Sequence, residues 1–251
     1  MDRFNLKGKM ALVTGSSRGL GAGIALALAE AGADVAAHGS SRPPEATLEA
    51  LKKLGSNCVG LVGNVGKAEV CARLVEETVR HFGTIDILVN NAGTIKRAPA
   101  AEHPEEYWQE LIDVNLSSVF WLMQHAGRHM LARGSGKIVN IASLLTFQGG
   151  ITVPSYAAAK GGVGQLTKAF ANEWASKGVN VNAIAPGYME TDNTEALRND
   201  PARAPQILDR IPAGRWGKQE DVAGAAVFLA SGASDYVHGH ILVVDGGWLN
   251  R

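Results

Sequence analysis

The stretch MALVTGSSRGLGAGIALALAEAGADVAAHG, residues 10–39, reads as strand, glycine-rich turn, helix and strand in succession. Residues 10–14 form a short apolar run, and residues 34–37 form a second. Between them, residues 22–31 are Ala- and Leu-rich with helical spacing. Two near-continuous apolar strands joined by a helix predict a parallel pair with a right-handed crossover. The turn carries Gly15, Ser17, Arg18, Gly19, Leu20 and Gly21. Gly15 supplies the tight turn, and Gly19 and Gly21 allow close approach of backbone to a pyrophosphate and of helix to strand. The free N–H groups at the helix N-terminus then favour phosphate. The spacing is G-x-x-x-G-x-G, and the strand before it and the helix after it supply the context a dinucleotide site needs.

The same alternation continues outward from this unit. Further apolar runs fall at residues 57–62, 85–90, 137–141, 179–184 and 241–244. Helical spacing fills residues 68–82, 104–132, 156–176 and 219–230. The expected fold is therefore a single α/β domain over residues 1–251, a doubly wound Rossmann-type seven-stranded parallel sheet with helices on both faces. No repeat, low-complexity tract or linker interrupts it. One interval breaks the rhythm: residues 187–216 contain no strand and carry scattered charges and prolines. It leaves the carboxyl end of a strand, where ligands bind in such sheets, and is expected to cover the substrate.

Cofactor choice is expected to show at the end of the second strand, where NAD sites place an acidic residue and NADP sites an arginine. Here the chain continues His38-Gly39-Ser40-Ser41-Arg42, and no carboxylate occurs before Glu45. Arg18 and Arg42 can both reach a 2′-phosphate, with Ser40 and Ser41 as neutral donors. This favours NADP(H) and leaves NAD(H) open.

A second signal lies in IVNIASLLTFQGGITVPSYAAAKGG, where Ser143, Tyr156 and Lys160 flank the start of a helix. Tyr-x-x-x-Lys puts phenol and ammonium on one helix face. An unperturbed Tyr titrates near ~10, and a nearby cation stabilises its phenolate. Tyr156 therefore reads as a proton donor, Lys160 as its tuner, and Ser143 as a hydroxyl that holds the substrate oxygen.

Composition removes several alternatives. Lys+Arg and Asp+Glu both number 24, so the net charge is zero and nothing argues for nucleic acid or an anionic membrane. No apolar run approaches a membrane span, and residues 1–7 lack a secretory apolar core. Cys58 and Cys71 read as reduced thiols in a cytoplasmic protein. The seven histidines form no metal-ligand pattern, so no metal is expected.

With these motifs in place, the chain resembles the short-chain dehydrogenase/reductase family over essentially its whole length. The matches fall in the family's order: Thr14–Gly21, then Asn90-Asn91-Ala92-Gly93, Asn115, Ser143, Tyr156 with Lys160, and Pro186-Gly187 with Thr191. The resemblance implies a catalytic tetrad of Asn115, Ser143, Tyr156 and Lys160. Tyr156 exchanges a proton with the substrate oxygen and Ser143 positions that oxygen. Lys160 binds the nicotinamide ribose and lowers the Tyr156 pKa, and Asn115 holds a water linking Lys160 to solvent. Asn91, Ala92 and Gly93 line the adenosine side, and Pro186, Gly187 and Thr191 hold the nicotinamide amide. The family usually has Asp after the third strand to contact adenine; this chain has Asn64-Val65 there.

The C-terminal half resembles the sugar-acid dehydrogenases of that family, through SLLTFQGG at 143–150, NVNAIAPGYM at 180–189, RIPAGRWG at 210–217 and the closing DGGWL at 245–249. A hydroxy acid needs a cation for its carboxylate and polar groups for its hydroxyls. Lys96 and Arg97 are the candidates for the first, Gln148 and Tyr188 for the second. The alternatives are a 3-oxoacyl-carrier-protein reductase and, in another class, a non-catalytic dinucleotide-binding protein on the same fold. The resemblance further implies a homotetramer. Small residues 157–159, Gly161, Gly162 and Gly164 allow close helix approach, between subunits or within one.

Overall fold

The computed structural model describes residues 2–251, with backbone alone for residues 2 and 193. Strands β1 (Met10–Val13), β2 (Asp34–Gly39), β3 (Cys58–Val62), β4 (Ile87–Asn90), β5 (Gly136–Ile141), β6 (Val179–Pro186) and β7 (Ile241–Val244) form one sheet. Their order is β3-β2-β1-β4-β5-β6-β7, and every pairing is parallel. All seven expected strands are present. The helices are α1 (Gly19–Glu30), α2 (Glu45–Lys53), α3 (Ala68–Phe82), α4 (Glu105–Ile112), α5 (Ser118–Arg133), α6 (Pro154–Trp174), α7 (Asp192–Arg198), α8 (Arg203–Arg210) and α9 (Gln219–Ala230).

Side chains alternate across the strands, so each face of the sheet carries its own core. Leu12 of β1 points to the face covered by Leu74, Leu122, Met123 and Val163. Its neighbours Ala11 and Val13 point to the other, covered by Ile24, Leu28, Val222 and Leu229. β6 is buried along its whole length. It tolerates Asn180 and Asn182 because their amides donate to the Val237 carbonyl at 3.0 and 2.8 Å.

Three elements depart from the sequence reading. Residues 45–53 form α2, whose inward face carries only Thr47 and Leu51 as fully buried residues, too short a stripe to stand out in the sequence. The single helix expected over 104–132 is broken into α4 and α5 by a π-helical turn, Asp113–Ser117. The interval 187–216 holds no named strand, as expected, yet contains α7 and α8. Its base is closed: Glu190 N–H donates to the Gly217 carbonyl at 2.7 Å, and Gly217 N–H to the Tyr188 carbonyl at 2.9 Å. Ile207 and Ile211 then dock the segment on Leu144 and Trp248 in a third, smaller cluster.

Strand order reverses between β1 and β4, which opens a crevice at the carboxyl edge of the sheet. The glycine turn, the 91–97 loop, the loop bearing Ser143 and the 187–216 segment all leave that edge.

Candidate active site

Ser143 follows β5 and caps a short 3-10 turn, Leu144–Thr146, accepting from the Leu145 N–H at 3.2 Å. Thr146 completes that capping box and donates to the Lys160 carbonyl at 2.9 Å. Thr146 thus fastens the Ser143 turn to the helix carrying Tyr156 and Lys160. Gly164 permits it: a Cβ there would lie 2.5 Å from Thr146 Cγ2. A buried amide chain sets α6 against the sheet, with Asn90 donating to Asn140 at 2.8 Å and Asn140 to Thr167 at 2.9 Å. Of the small residues on α6, Gly162 packs on Leu116 and Gly164 on Thr146 within this chain, while Gly161 faces open space.

The phenol of Tyr156 shares a hydrogen bond with Ser143. Burial holds its pKa above the usual tyrosine value, opposed by that hydrogen bond and by the charge of Arg97. The expected electrostatic partner, Lys160, lies over the ring and is engaged by a backbone carbonyl. Its ammonium is 5.7 Å from the Tyr156 ring centre and donates to the Ile141 carbonyl at 2.6 Å. Lys160 is itself buried, and desolvation pulls its pKa down to about 8. Arg97 and Ser143 join the nearby Lys160 cation in working against the burial of the phenol.

Asn115 lies in the π-turn, fully buried. π-turns inside helices recur at functional sites. Its amide makes a two-point clasp on Thr94, accepting from the backbone N–H at 2.9 Å and donating to the carbonyl at 2.8 Å. Both side-chain groups are engaged, so the side chain anchors the 93–97 loop.

At the other end of the crevice, Gly15 and Gly21 pack against one another and against Asn91 and Ala92, with no room for a Cβ at either glycine. Gly15 also takes a positive φ of 63°. Asn91 donates to the Thr14 and Gly15 carbonyls at 2.9 and 3.0 Å, so it braces the glycine turn. No side chain caps α1, which leaves its first-turn N–H groups for an anion. A Cβ on Gly39 would run into the Arg42 carbonyl, so the end of β2 cannot carry the acidic side chain of an NAD site. Ser17, Ser40 and Arg42 are exposed beside it. Arg18 reaches across the crevice to Asp192 at 2.7 Å, both groups largely in solvent. Asn64, exposed, accepts from Gly66 N–H through Oδ1 at 2.9 Å, and Val65 is buried. These residues fit a dinucleotide with a 2′-phosphate.

A cavity of about 500 Å³ opens beside Tyr156 and Ser143. Leu20, Pro186, Gly187 and Thr191 line it on the crevice side, and Arg97, Gln148 and Tyr188 on the other. Three of the four sequence-derived substrate candidates therefore meet there. Lys96 does not: it pairs with Glu110 at 3.3 Å and lies over the Tyr107 ring. Consecutive loop residues point apart, so only one of the two cations reaches the cavity. Arg203, Gln206, Arg210 and Trp248 also line it and escaped the sequence reading. Arg210 stacks on Trp248 at 4.1 Å, and Tyr188 packs on the same indole at 4.5 Å. The one available signal was the run of arginines in a strandless segment. Burial lifts the Tyr188 pKa, and the charges of Arg203, Arg210 and Arg97 oppose it, so all three cations bear on one region.

Comparison with known proteins agrees with this geometry. The sequence profile of a family described as enoyl-(acyl carrier protein) reductase matches residues 15–249. A 2-dehydro-3-deoxy-D-gluconate 5-dehydrogenase of Pseudoalteromonas atlantica is 56% identical, with both chains covered in full. A crystal structure from Agrobacterium tumefaciens, provisionally named a 2-deoxy-D-gluconate 3-dehydrogenase and holding NADP, superposes with a TM-score of 0.92 at 53% identity over 100% of each chain. A gluconate 5-dehydrogenase of Burkholderia cenocepacia, in complex with NADP and tartrate, superposes with a TM-score of 0.95 at 43% identity, covering 100% of this chain and 98% of that one.

Proposed function

The chain belongs to the short-chain dehydrogenase/reductase family, and from that premise we propose that it interconverts a secondary alcohol and a ketone on a sugar acid, using NADP(H) in preference to NAD(H). The substrate class we infer is that of 2-dehydro-3-deoxy-gluconate, 2-deoxy-gluconate or gluconate. One observation carries the reading: the Tyr156–Ser143 pair opens into a cavity lined by three arginines and by Gln148 and Tyr188. Such a lining suits a small, polyhydroxylated anion.

When bound, the nicotinamide supplies or accepts the hydride. Ser143 holds the reacting oxygen, and Tyr156 donates or takes the proton at that oxygen. Lys160 orients the cofactor ribose, for which its ammonium must turn from the Ile141 carbonyl. Asn115 fixes the loop that brings Arg97 to the cavity. Arg18 and Arg42 receive the 2′-phosphate, where Arg18 must exchange Asp192 for it. Gly15, Ser17, Gly19, Leu20 and Gly21 cradle the pyrophosphate. Ser40, Asn64, Val65, Asn91, Ala92 and Gly93 line the adenosine, and Pro186, Gly187 and Thr191 the nicotinamide. The 187–216 segment covers the substrate and adds Arg203 and Arg210 to its carboxylate end.

The acyl-carrier-protein reading has the family description in its favour, but an acyl chain has no use for three arginines in a cavity. The test is a purified-enzyme screen of the three sugar-acid types against an acetoacetyl thioester, with both cofactors. Sugar-acid turnover with NADP(H) is expected; turnover of the thioester alone would overturn the reading. Tyr156→Phe should abolish turnover while leaving cofactor affinity unchanged.

We also propose a cytoplasmic homotetramer. Among the described residues, no helix is long and apolar enough to cross a membrane. An apolar groove between α5 and α6, lined by Leu116, Phe120, Trp121 and Leu166, supports subunit packing there. Sedimentation at micromolar concentration should give a fourfold mass, and a monomer would refute it.

A further inference from the structure

We propose that His38 is a positioning residue for the cofactor: a neutral imidazole bridge that holds the glycine turn in its binding conformation and makes cofactor affinity fall on acidification. The inference rests on the dinucleotide-binding reading above.

His38 is the penultimate residue of β2 and is 1% exposed. Gly15 N–H points at His38 Nδ1, 3.0 Å away, so Nδ1 must be an unprotonated acceptor. On the other side, His38 Nε2 lies 2.8 Å from the Gly63 carbonyl, so Nε2 must carry the proton. The two contacts admit one tautomer only, and they exclude the imidazolium. The backbone of His38 reinforces the link. Its N–H donates to Ser16 Oγ at 2.8 Å, and its carbonyl accepts from Ser16 N–H at 2.9 Å. Thr47 of α2 holds the Ser16 carbonyl at 2.7 Å. The glycine turn is thus set from beneath by one side chain that spans β1, β2 and β3.

Protonation would place an N–H against the Gly15 N–H, with no acceptor between them. The surroundings resist it. Burial lowers the His38 pKa, the Gly63 carbonyl raises it, and the Arg73 guanidinium lowers it again. Arg73 comes from α3 and is held by Glu77 and by the Val62 carbonyl. The turn meets the ring through the Gly15 N–H, while the hydroxyls of Ser16 and Thr47 are engaged with backbone groups. The neutral form therefore dominates at neutral pH, and the turn loosens only when acid forces the second proton on. The adjacent Gly39 contributes no acidic side chain of its own to stabilise the imidazolium, and the carboxylate of Glu77 is paired with Arg73.

The test is NADPH affinity, read by fluorescence titration from pH 8 to pH 5, in the full-length protein. His38→Leu orphans the Gly15 N–H and should weaken binding roughly tenfold at pH 7.5. His38→Asn can still accept from Gly15 and should recover most of that loss. The 2′-phosphate titrates near pH ~6 and adds an acid limb common to all variants. Wild type should show an additional loss below that limb that His38→Asn lacks. The KM for NADPH should carry the effect, with kcat at saturating cofactor changed less than twofold. An unchanged affinity in His38→Leu, or identical pH profiles for wild type and His38→Asn, would overturn the inference. If the variants do not fold, imidazole ¹⁵N shifts of the wild-type protein decide: an Nδ1–H tautomer or an imidazolium at pH 7 overturns it. Wild type that binds neither NADPH nor NADH would instead sink the dinucleotide reading, and this inference with it.

Discussion

Asn115→Ala should destabilise the protein and disable it through the 93–97 loop. The wild-type amide makes two hydrogen bonds to Thr94, at 2.9 and 2.8 Å, from a fully buried position. Alanine leaves the Thr94 N–H and carbonyl without those partners. Each orphaned backbone group costs about 1–3 kcal/mol, reduced where water enters the space left by the amide. The expected loss is therefore about 2–4 kcal/mol, or roughly 5–12 °C in Tm for a chain of this size. Because the loop also carries Arg97, the substrate KM should rise along with a fall in kcat. Denaturant melts and steady-state kinetics on the same preparation test both. Asn115→Asp keeps an acceptor for the Thr94 N–H but opposes the carbonyl with a second oxygen, and should fall between wild type and alanine in Tm. An alanine variant that melts within about 1 °C of wild type with an unchanged substrate KM would refute the anchoring role.

Lys160→Met should be inactive yet more stable than wild type by about 2 kcal/mol near pH 7, because it removes a buried ammonium whose pKa is held at about 8. Between pH 8 and the ordinary lysine value the unfolded chain binds the proton and the folded chain does not, so wild-type stability rises with pH and the variant's advantage shrinks; melts at pH 7 and pH 10 check the sign. Arg97→Ala should raise the sugar-acid KM at least tenfold with no change in the NADPH KM, whereas Lys96→Ala, which loses a surface pair with Glu110 and a contact over the Tyr107 ring, should leave both within twofold. Paired kinetics with NADPH and NADH should show Arg18→Ala and Arg42→Ala lowering the preference for NADPH by roughly tenfold each; retention of the full preference would remove both residues from the 2′-phosphate site.

The departures from the sequence reading share a cause. Tyr156 and Lys160 are a helical i, i+4 pair, as the spacing requires, but spacing does not say which carbonyl an ammonium finds. Lys160 donates to Ile141 while lying over the Tyr156 ring, and a second cation that bears on the phenol comes from a loop fifty-nine residues upstream of it, at Arg97. Lys96 and Arg97 are indistinguishable as types; the loop geometry pinned by Asn115 sends one to Glu110 and the other to the cavity. The π-turn that buries Asn115 leaves no mark in the hydrophobic period, because one extra residue in a long helix shifts the apolar stripe by less than the stripe's width.

From sequence alone, the strand order of chemistry was determined: seven apolar strands, a glycine turn after the first, and a Ser–Tyr–Lys group after the fifth. Those signals are local, since alternation and short motifs act over a few residues of chain. Tertiary structure decided everything that depends on contact between distant segments. It brought Arg203, Arg210 and Trp248 to the cavity beside Tyr156, folded α7 and α8 over it, and closed the neck at Tyr188 and Gly217. It also put His38 beneath Gly15 and above Gly63, where a residue that looks like the unremarkable end of a strand becomes the support of the glycine turn. Hydrogen bonds between groups 23 and 25 residues apart have no periodicity to betray them; they exist only once the parallel sheet has set β1, β2 and β3 side by side.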